Sequence, residues 1–421
     1  MSIIRIRDAD GNIIDIPALK GKDYILTETD KNTIANKTLN LINQAECIPL
    51  GSAVNKLPQL VNRTITEITA SDLQGVTSIG EYAFNGCKQL EHIDIPDSVT
   101  SIGMCAFYKC NALTSVNIPD GMSSIEQNTF DGCSSLKSVT IGNGVTNIGY
   151  HAFMDCNNIT DVYYNGDIES WCNISFQTDT QANPVKSGSN FYLKTPDGYN
   201  LLTEVIIPRS VTEIKDYVFV RFTNLTNVTM HDSVTSIGRN AFSGCNGLTS
   251  IEIPNSVTSI GAYAFSDCLS LENVTIGSGV TSIGGNAFSK CSSLKSIIIP
   301  DSVTSIGSNA FYACSKLSNL KIGNSVKTIE NYAFYDCDSL VEVVIPNSVT
   351  TIKDSAFRDC QKLTTVRIGN GITSIGNYMF LTDNRITDIY IDKPEGSISG
   401  APWSATNATV HWNTPLPSEE V

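Results

Sequence analysis

The sequence has few of the groups on which enzymes and nucleic-acid-binding proteins depend. It contains four histidines, and its 28 Lys and Arg residues stand against 42 Asp and Glu residues, for a formal net charge of −14. An acidic surface repels phosphate backbones and anionic lipid headgroups. We therefore expect no nucleic-acid partner and no role at a membrane surface.

Long apolar runs are also missing. No stretch reaches the roughly 18 apolar residues that a bilayer span requires, so we expect no membrane insertion. The first 24 residues carry charges at Arg5, Arg7, Asp8 and Asp10 and contain no continuous apolar segment. We accordingly expect no signal peptide in them.

Common signatures of catalysis and metal binding do not occur. The patterns G-x-S-x-G, H-E-x-x-H, C-x-x-C and the P-loop are all missing. The four histidines, His92, His151, His231 and His411, occupy different positions relative to the repeat described below, so stacking brings no two of them together. We therefore expect a protein that is not an enzyme and that uses no metal and no cofactor.

The most regular feature that is present is a repeat of 23 residues. A segment of the type V-T-S-I starts each unit, four times before residue 165 and eight times after residue 204. Its first residues are Val76, Val99, Met122, Val145, Val211, Val234, Val257, Val280, Val303, Val326, Val349 and Ile372. A register held over twelve units indicates a solenoid, in which each coil buries its apolar residues on its neighbours.

The unit that starts at Val257 shows what one coil contains. Val274 and Ile276 alternate with polar residues, which predicts a short strand with one wet face, and the V-T-S-I segment predicts a second. Ala264 and Phe265 predict a tight turn, interpreted as a single helical turn. We expect a mainly β solenoid of about 12 coils with short helical turns, one insertion in the middle of the array and a cap at each end.

One phenylalanine recurs in every coil and predicts a continuous buried stack. Its members are Phe84, Phe107, Phe130, Phe153, Phe219, Phe242, Phe265, Phe288, Phe311, Phe334, Phe357 and Phe380. An aromatic cofactor site is the less favoured interpretation, because the same residue type at the same position in each coil is what core packing requires.

Ten of the 13 cysteines occupy a single repeat position. They are Cys87, Cys110, Cys133, Cys156, Cys245, Cys268, Cys291, Cys314, Cys337 and Cys360. Phe222 and Asp383 replace cysteine in the two remaining coils, which suggests that the position requires bulk and burial. We expect a structural ladder of reduced, buried thiols, since side chains that project in parallel from stacked coils are poorly oriented for disulfide closure.

The repeat also predicts where the segments of the chain begin and end. Residues 1–46 form a leader module with a helix from Thr29 or Asp30 to about Ala45. The other segments are an N-terminal cap at 47–75, coils 1–4 at 76–164, an insertion at 165–204, coils 5–12 at 205–391, and a C-terminal cap and tail at 392–421.

Two regions are candidates for binding. The first, which we call the C-terminal stripe, consists of outward strand residues that are apolar, basic or aromatic where earlier coils carry mostly small polar ones. Its members are Ile298, Lys321, Val344, Arg367 and Tyr390. Such side chains favour protein contacts. The alternative, which the residues favour slightly, is ordinary β-propensity on a wet sheet face.

The second candidate is the insertion, through Trp171, Tyr192 and Tyr199. Long insertions in compact folds are often functional. The alternative is that these aromatic residues pack the insertion against the coils.

The unit V-T-S-I-G-x-x-A-F-x-x-C-x-x-L-x-x-V-x-I-P resembles the BspA-like class of bacterial leucine-rich repeats. The resemblance covers residues 76–391, and the insertion resembles a recurrent module of that class through Val162–Gly166, Trp171–Ile174 and Asn183-Pro184. It implies a leucine-rich-repeat solenoid that is displayed at the cell surface or secreted. The implied role is adhesion by binding host or matrix proteins, and we expect a monomer.

The two ends resemble short modules of phage or prophage virion proteins, through Arg7–Asn12 with Lys20–Tyr24, and through Lys393–Trp403. This resemblance implies an alternative function, a virion-associated receptor-binding protein, and alternative locations in a virion or the cytoplasm. A glycan-binding module, or an enzyme with its site in the insertion, is a further alternative.

Overall fold

The computed structural model describes residues 3–7, 13–17, 63–177 and 180–417. The predicted helix of the leader module and the first part of the N-terminal cap lie outside these residues. The first two strands, β1 (Ile3–Arg7) and β2 (Ile13–Pro17), pair antiparallel. Among the described residues, no helix is long and apolar enough to cross a membrane.

The chain divides into two compact units, of which the first comprises residues 1–159 and 163–165 and the second comprises 160–162 and 166–421. The strands of unit 1 after the hairpin are β3 (Glu67–Ile68), β4 (Ser78–Ile79), β5 (His92–Ile93), β6 (Ser101–Ile102), β7 (Ser115–Asn117), β8 (Ser124–Ile125), β9 (Ser138–Ile141) and β10 (Asn147–Ile148). Strand β11 (Asp161–Tyr164) contains residues of both units.

Unit 2 contains the elements of the insertion, which are α1 (Ile168–Cys172), β12 (Ser175–Phe176), β13 (Asn190–Thr195) and β14 (Gly198–Leu201). The strands of its coils are β15 (Glu204–Ile206), β16 (Glu213–Ile214), β17 (Asn227–Thr229), β18 (Ser236–Ile237), β19 (Ser250–Ile253), β20 (Ser259–Ile260), β21 (Asn273–Ile276), β22 (Ser282–Ile283), β23 (Ser296–Ile298), β24 (Ser305–Ile306), β25 (Asn319–Lys321), β26 (Thr328–Ile329), β27 (Glu342–Ile345), β28 (Thr351–Ile352), β29 (Thr365–Ile368), β30 (Ser374–Ile375), β31 (Asp388–Ile391) and β32 (Thr409–Trp412).

The coils stack in parallel with the register that the repeat predicts. In unit 2 the V-T-S-I segments form one eight-stranded sheet from β16 to β30, in which Ile260 faces Ile283 and Ile283 faces Ile306. Their threonines extend this sheet, since the Thr281 hydroxyl donates to the Thr258 carbonyl at 3.0 Å and the contact recurs in neighbouring coils. The predicted solenoid is therefore confirmed.

The tight turn before the cysteine differs from the predicted helical turn. Tyr263 and Asp267 both have φ of 59°, in the left-handed region, so an α-helical run is not possible there. Instead the Tyr263 N–H donates to the Gly285 carbonyl at 2.9 Å and the Phe265 N–H donates to the Ala287 carbonyl at 2.7 Å. The turn thus adds another set of hydrogen bonds between successive coils.

The solenoid has about 15 turns, compared with the 12 coils counted from the repeat. The additional turns come from segments that stack without carrying the full 23-residue pattern. At the start of unit 1, β3 pairs with β5, and at the end of unit 2, β32 pairs with β31. Counting anchor segments misses them because stacking needs a strand in register and does not need the complete motif.

The phenylalanines are buried as predicted, and their rings form a stack within each unit where the repeat predicts a single continuous one. Phe84 to Phe153 stack with ring centroids 5.1 to 5.4 Å apart in unit 1. Phe219 to Phe357 stack at 5.1 to 5.3 Å in unit 2, with rings within 9° of parallel. Each ring therefore covers the faces of its neighbours along the array.

We predict that Phe288→Ala destabilises the protein by about 3–5 kcal/mol, as removal of a large buried aromatic side chain does. Phe288 is 0% exposed and stacks between Phe265 and Phe311. The matched control is Ile298→Ala, because Ile298 is 59% exposed. Chemical denaturation measures both variants, and equal unfolding free energies for the two would contradict the placement of the stack.

The last coil carries an aspartate at the cysteine position, and this residue makes its stability depend on pH. Asp383 is 3% exposed. Burial, together with the nearby carboxylates of Asp359 and Asp338, raises its pKa to about 8. The folded protein therefore holds a proton that the unfolded chain, with the ordinary pKa of 3.8, releases.

The contribution of Asp383 to stability is complete below pH 3.8 and is lost as the pH rises to about 8. We predict that Asp383→Asn, which keeps the size and removes the titration, abolishes this part of the pH dependence. The measurement is the free energy of unfolding at pH 5 and pH 8.5 for both proteins. An unchanged difference between the two pH values in the variant would refute the assignment.

Candidate binding surface

The C-terminal stripe lies on strands of unit 2 and falls into two parts. Ile298 and Lys321 are partners on β23 and β25, which belong to one sheet. Val344, Arg367 and Tyr390 are partners on β27, β29 and β31, which belong to a second sheet. Ile298 is 59% exposed and Val344 is 39% exposed, so apolar groups are present in both parts.

The second part of the stripe is a stack of planar side chains. The Arg367 guanidinium lies 4.4 Å from the centre of the Tyr390 ring, and the Tyr390 ring stacks on His411 with centroids 4.5 Å apart and planes within 13°. Carboxylates hold both ends, since Arg367 Nε donates to Glu342 Oε1 at 2.7 Å and His411 Nε2 lies 2.8 Å from Asp388 Oδ1. The stack is therefore fixed in place without a ligand.

Sequence reasoning missed His411, which the structure adds to this stack. His411 faces Tyr390 because β32 pairs with β31 in the same register as the preceding strands. The segment Thr409–Trp412 alternates as the V-x-I strands do, and this alternation was the available signal. The hydrogen bond with His411 lowers the pKa of Asp388.

The insertion holds its tryptophan inside, so Trp171 is not a surface candidate. Trp171 is 0% exposed, its Nε1 donates to the Val218 carbonyl at 3.0 Å, and its ring packs against Phe191 and Phe222. An aromatic ring that is buried to this extent anchors the insertion to the coil that follows it. Its position in α1 depends on Asp167, whose side chain accepts from the N–H of Ser170.

The two tyrosines of the insertion lie on a hairpin formed by β13 and β14. Tyr199 is 39% exposed and pairs with Lys194, whereas Tyr192 is half-buried. This hairpin and the strands of the C-terminal stripe belong to different sheets. The two candidate regions therefore do not form one site within a sheet, and Tyr199 remains a separate candidate.

The ten ladder cysteines are all buried. In nine of them the Sγ atom donates to the carbonyl of the phenylalanine 26 residues earlier, at 3.0 to 3.3 Å, as Cys268 does to Phe242. A thiol is a weak donor, but it is small enough for a buried position and satisfies a carbonyl of the preceding coil. This hydrogen bond is a second reason why cysteine occupies the position, beside the bulk and burial that the sequence suggested.

A family comparison identifies the repeat. The BspA-type leucine-rich repeat region matches in six copies, over residues 61–183, 198–318 and 304–407. This range includes most of the chain, and the chain therefore belongs to the BspA-type leucine-rich repeat family. Among curated proteins, no significant match was found.

Solved structures of bacterial leucine-rich repeat proteins are similar to this chain. One from Bacteroides ovatus is 28% identical with a TM-score of 0.56, and the alignment covers 80% of this chain and 87% of that chain. One from Eubacterium ventriosum is 24% identical with a TM-score of 0.52, covers 76% of this chain and 89% of that chain, and shows the fold alone. The protein is thus a repeat scaffold of a kind that is typically non-enzymatic.

We predict that the described cysteines do not react with a thiol reagent until the protein unfolds. Burial raises the pKa of Cys268 and Cys314 to about 12 and that of Cys87 to about 11, which disfavours the reactive thiolate. The test uses a Cys47→Ser variant, because Cys47 lies outside the described residues. Thiol titration at pH 8 with and without denaturant measures the effect, and a disulfide between ladder cysteines in the native protein would contradict it.

Proposed function

We propose that this protein is a non-catalytic scaffold that binds another protein through the C-terminal stripe. The partner is a host or matrix protein, and the role is adhesion from the surface of a bacterium or in secreted form. Membership of the BspA-type family supports a scaffold, and the character of the stripe supports a protein partner.

The observation that carries the proposal is the stack of Arg367, Tyr390 and His411. Arginine and tyrosine are over-represented among residues that dominate the energy of protein interfaces. Here Glu342 holds the Arg367 guanidinium and Asp388 holds the His411 ring, and the Tyr390 ring stacks between the two. Binding therefore does not have to pay the entropy of ordering these side chains.

The exposed apolar residues extend the same surface. Ile298 and Val344 offer area that can be buried on binding, and Lys321 lies between them in the order of the coils. At a strand spacing of about 4.8 Å, the stripe is roughly 20 Å long. This length accommodates an extended segment or one edge of a folded domain.

The demands of the core do not account for the composition of the stripe. Asn117 and Thr140 occupy the same outward position on β7 and β9, and the inward residues of those strands are apolar as they are in unit 2. Core packing therefore does not constrain the outward residues of the coils. Those near the C-terminus have side chains that suit contacts with another protein.

The test is a triple variant, Lys321→Ser, Val344→Thr and Arg367→Ser. We expect its affinity for the partner to fall at least about tenfold, since it removes two charged groups and exposed apolar area together. The probes are purified host matrix and plasma proteins, each immobilised and measured by surface plasmon resonance. The melting temperature is measured in parallel, and we expect little change because all three side chains lie on the surface.

The matched control is the double variant Asn117→Ser and Thr140→Ser, which changes the same strand position in unit 1 and should bind normally. Normal binding by the triple variant would sink the stripe as the site and direct the search to the hairpin that carries Tyr199. If none of the purified proteins binds, the proposed role in adhesion to host or matrix proteins is wrong.

A further inference from the structure

A polar pocket lies on the turn side of unit 2 and is separate from the strands that carry the C-terminal stripe. It has a volume of about 350 Å³ and extends over four successive coils. Asn240, Tyr263, Asn286 and Asn309 line it from the same repeat position, the first left-handed position of each turn. The pocket is thus built from one element of the repeat, presented four times.

The lining has the hydrogen-bonding character that recognises hydroxyl groups. Amide and hydroxyl side chains both donate and accept, and the lining contains the three asparagines and three serines. Two of the serines, Ser266 and Ser289, are 4% exposed, and Asn240 is 8% exposed. These polar groups are therefore part of the wall and are not a solvated rim.

The pocket is close to electrically neutral. Its charged residues are Asp267 and Lys290, and their side chains form an ion pair in which Lys290 Nζ lies 3.6 Å from Asp267 Oδ1. A lining with balanced charge gives no advantage to a phosphate, a sulfate or a cationic ligand. The composition favours a neutral ligand that is rich in hydroxyl groups.

Two tyrosine rings supply apolar faces in the same pocket. Tyr263 lies against Arg239, whose guanidinium is 5.4 Å from the ring centre, and Tyr312 stacks on Tyr335 with centroids 5.1 Å apart. Both rings are consequently held in position. They bound the pocket with apolar surface that the C–H groups of a sugar can contact while its hydroxyls bond to the surrounding amides.

The spacing of the coils adds a second geometric constraint. Phe242, Phe265, Phe288 and Phe311 lie below these turns with ring centroids 5.2 to 5.3 Å apart, so the lining repeats at about this interval. The sugar rings of an extended β-linked glycan follow one another at a closely similar interval. Since the backbone of each turn is bonded to the next coil, the positions of the lining are fixed before binding.

We propose that this pocket binds an extended, neutral, β-linked polysaccharide. Successive sugar rings lie along successive coils, with Tyr263 and Tyr312 at the edges of the sugar rings and the asparagines bonded to hydroxyls. The site lies outside the insertion and is independent of the protein-binding surface on the strands.

The test measures the binding of hexasaccharides to the whole protein by isothermal titration calorimetry. Cellohexaose, xylohexaose and mannohexaose are the neutral β-linked probes, maltohexaose is the α-linked comparison, and a galacturonic acid hexamer is the charged comparison. We expect at least one β-linked neutral probe to bind, and to bind more tightly than either comparison. Tyr263→Ala and Asn286→Asp should each weaken that binding about tenfold, the loss of one well-placed contact.

The matched control is Tyr378→Ala, because Tyr378 occupies the repeat position of Tyr263 outside the pocket lining. It should leave saccharide binding unchanged. Circular dichroism checks each fold, and Asn286→Asp decides the outcome if Tyr263→Ala does not fold. The proposal is overturned if no neutral β-linked probe binds, if the charged hexamer binds best, or if the pocket variants bind as well as Tyr378→Ala does.

Discussion

The structure depends on one constraint, which is that no coil of 23 residues can bury its own apolar side chains. Each coil must therefore place the same atoms against the same atoms of the next one. Backbone hydrogen bonds enforce this register at the V-T-S-I segment, at the V-x-I strand and at the turn, as the Ile260–Ile283 pairing and the Phe265–Ala287 bond illustrate. Because the bonds repeat with the sequence, a change in one coil affects its immediate neighbours first.

The sequence predicted the parts of the fold that this constraint repeats. The phenylalanine and cysteine columns could be identified because a side chain that must pack in every coil recurs at one position. The left-handed turn was missed although the repeat carries a signal for it. Gly244 occupies the position of Asp267 one coil earlier and Asn286 occupies the position of Tyr263 one coil later, and both residue types tolerate a positive φ. The bond from Cys268 to the Phe242 carbonyl was missed because it joins residues 26 apart and only the coil geometry brings them together.

The candidate sites were less predictable than the fold because they depend on how neighbouring coils place side chains that the core does not constrain. The stripe could be listed residue by residue, yet the stacking of Arg367, Tyr390 and His411 requires β32 to continue the sheet. The sequence left Trp171 either as a binding residue or as one that packs the insertion against the coils, and the structure buries it against Phe222. Phe222 stands at the cysteine position of the coil beside the insertion. The replacement of cysteine by phenylalanine in that coil therefore provides the surface against which Trp171 of the insertion packs.

The C-terminal cap also has a consequence for how whole molecules could associate. Strand β32 occupies the hydrogen-bonding edge of β31, and Trp403, which is 4% exposed, belongs to the segment that leads into it. Parallel stacking is directional, so the two ends of a coil array are unlike surfaces that fit each other. An array without this segment would present an edge suited to the first coil of another copy, and head-to-tail contacts of that kind grow into open filaments. The closing strand therefore occupies the edge of β31 at which such a contact would form.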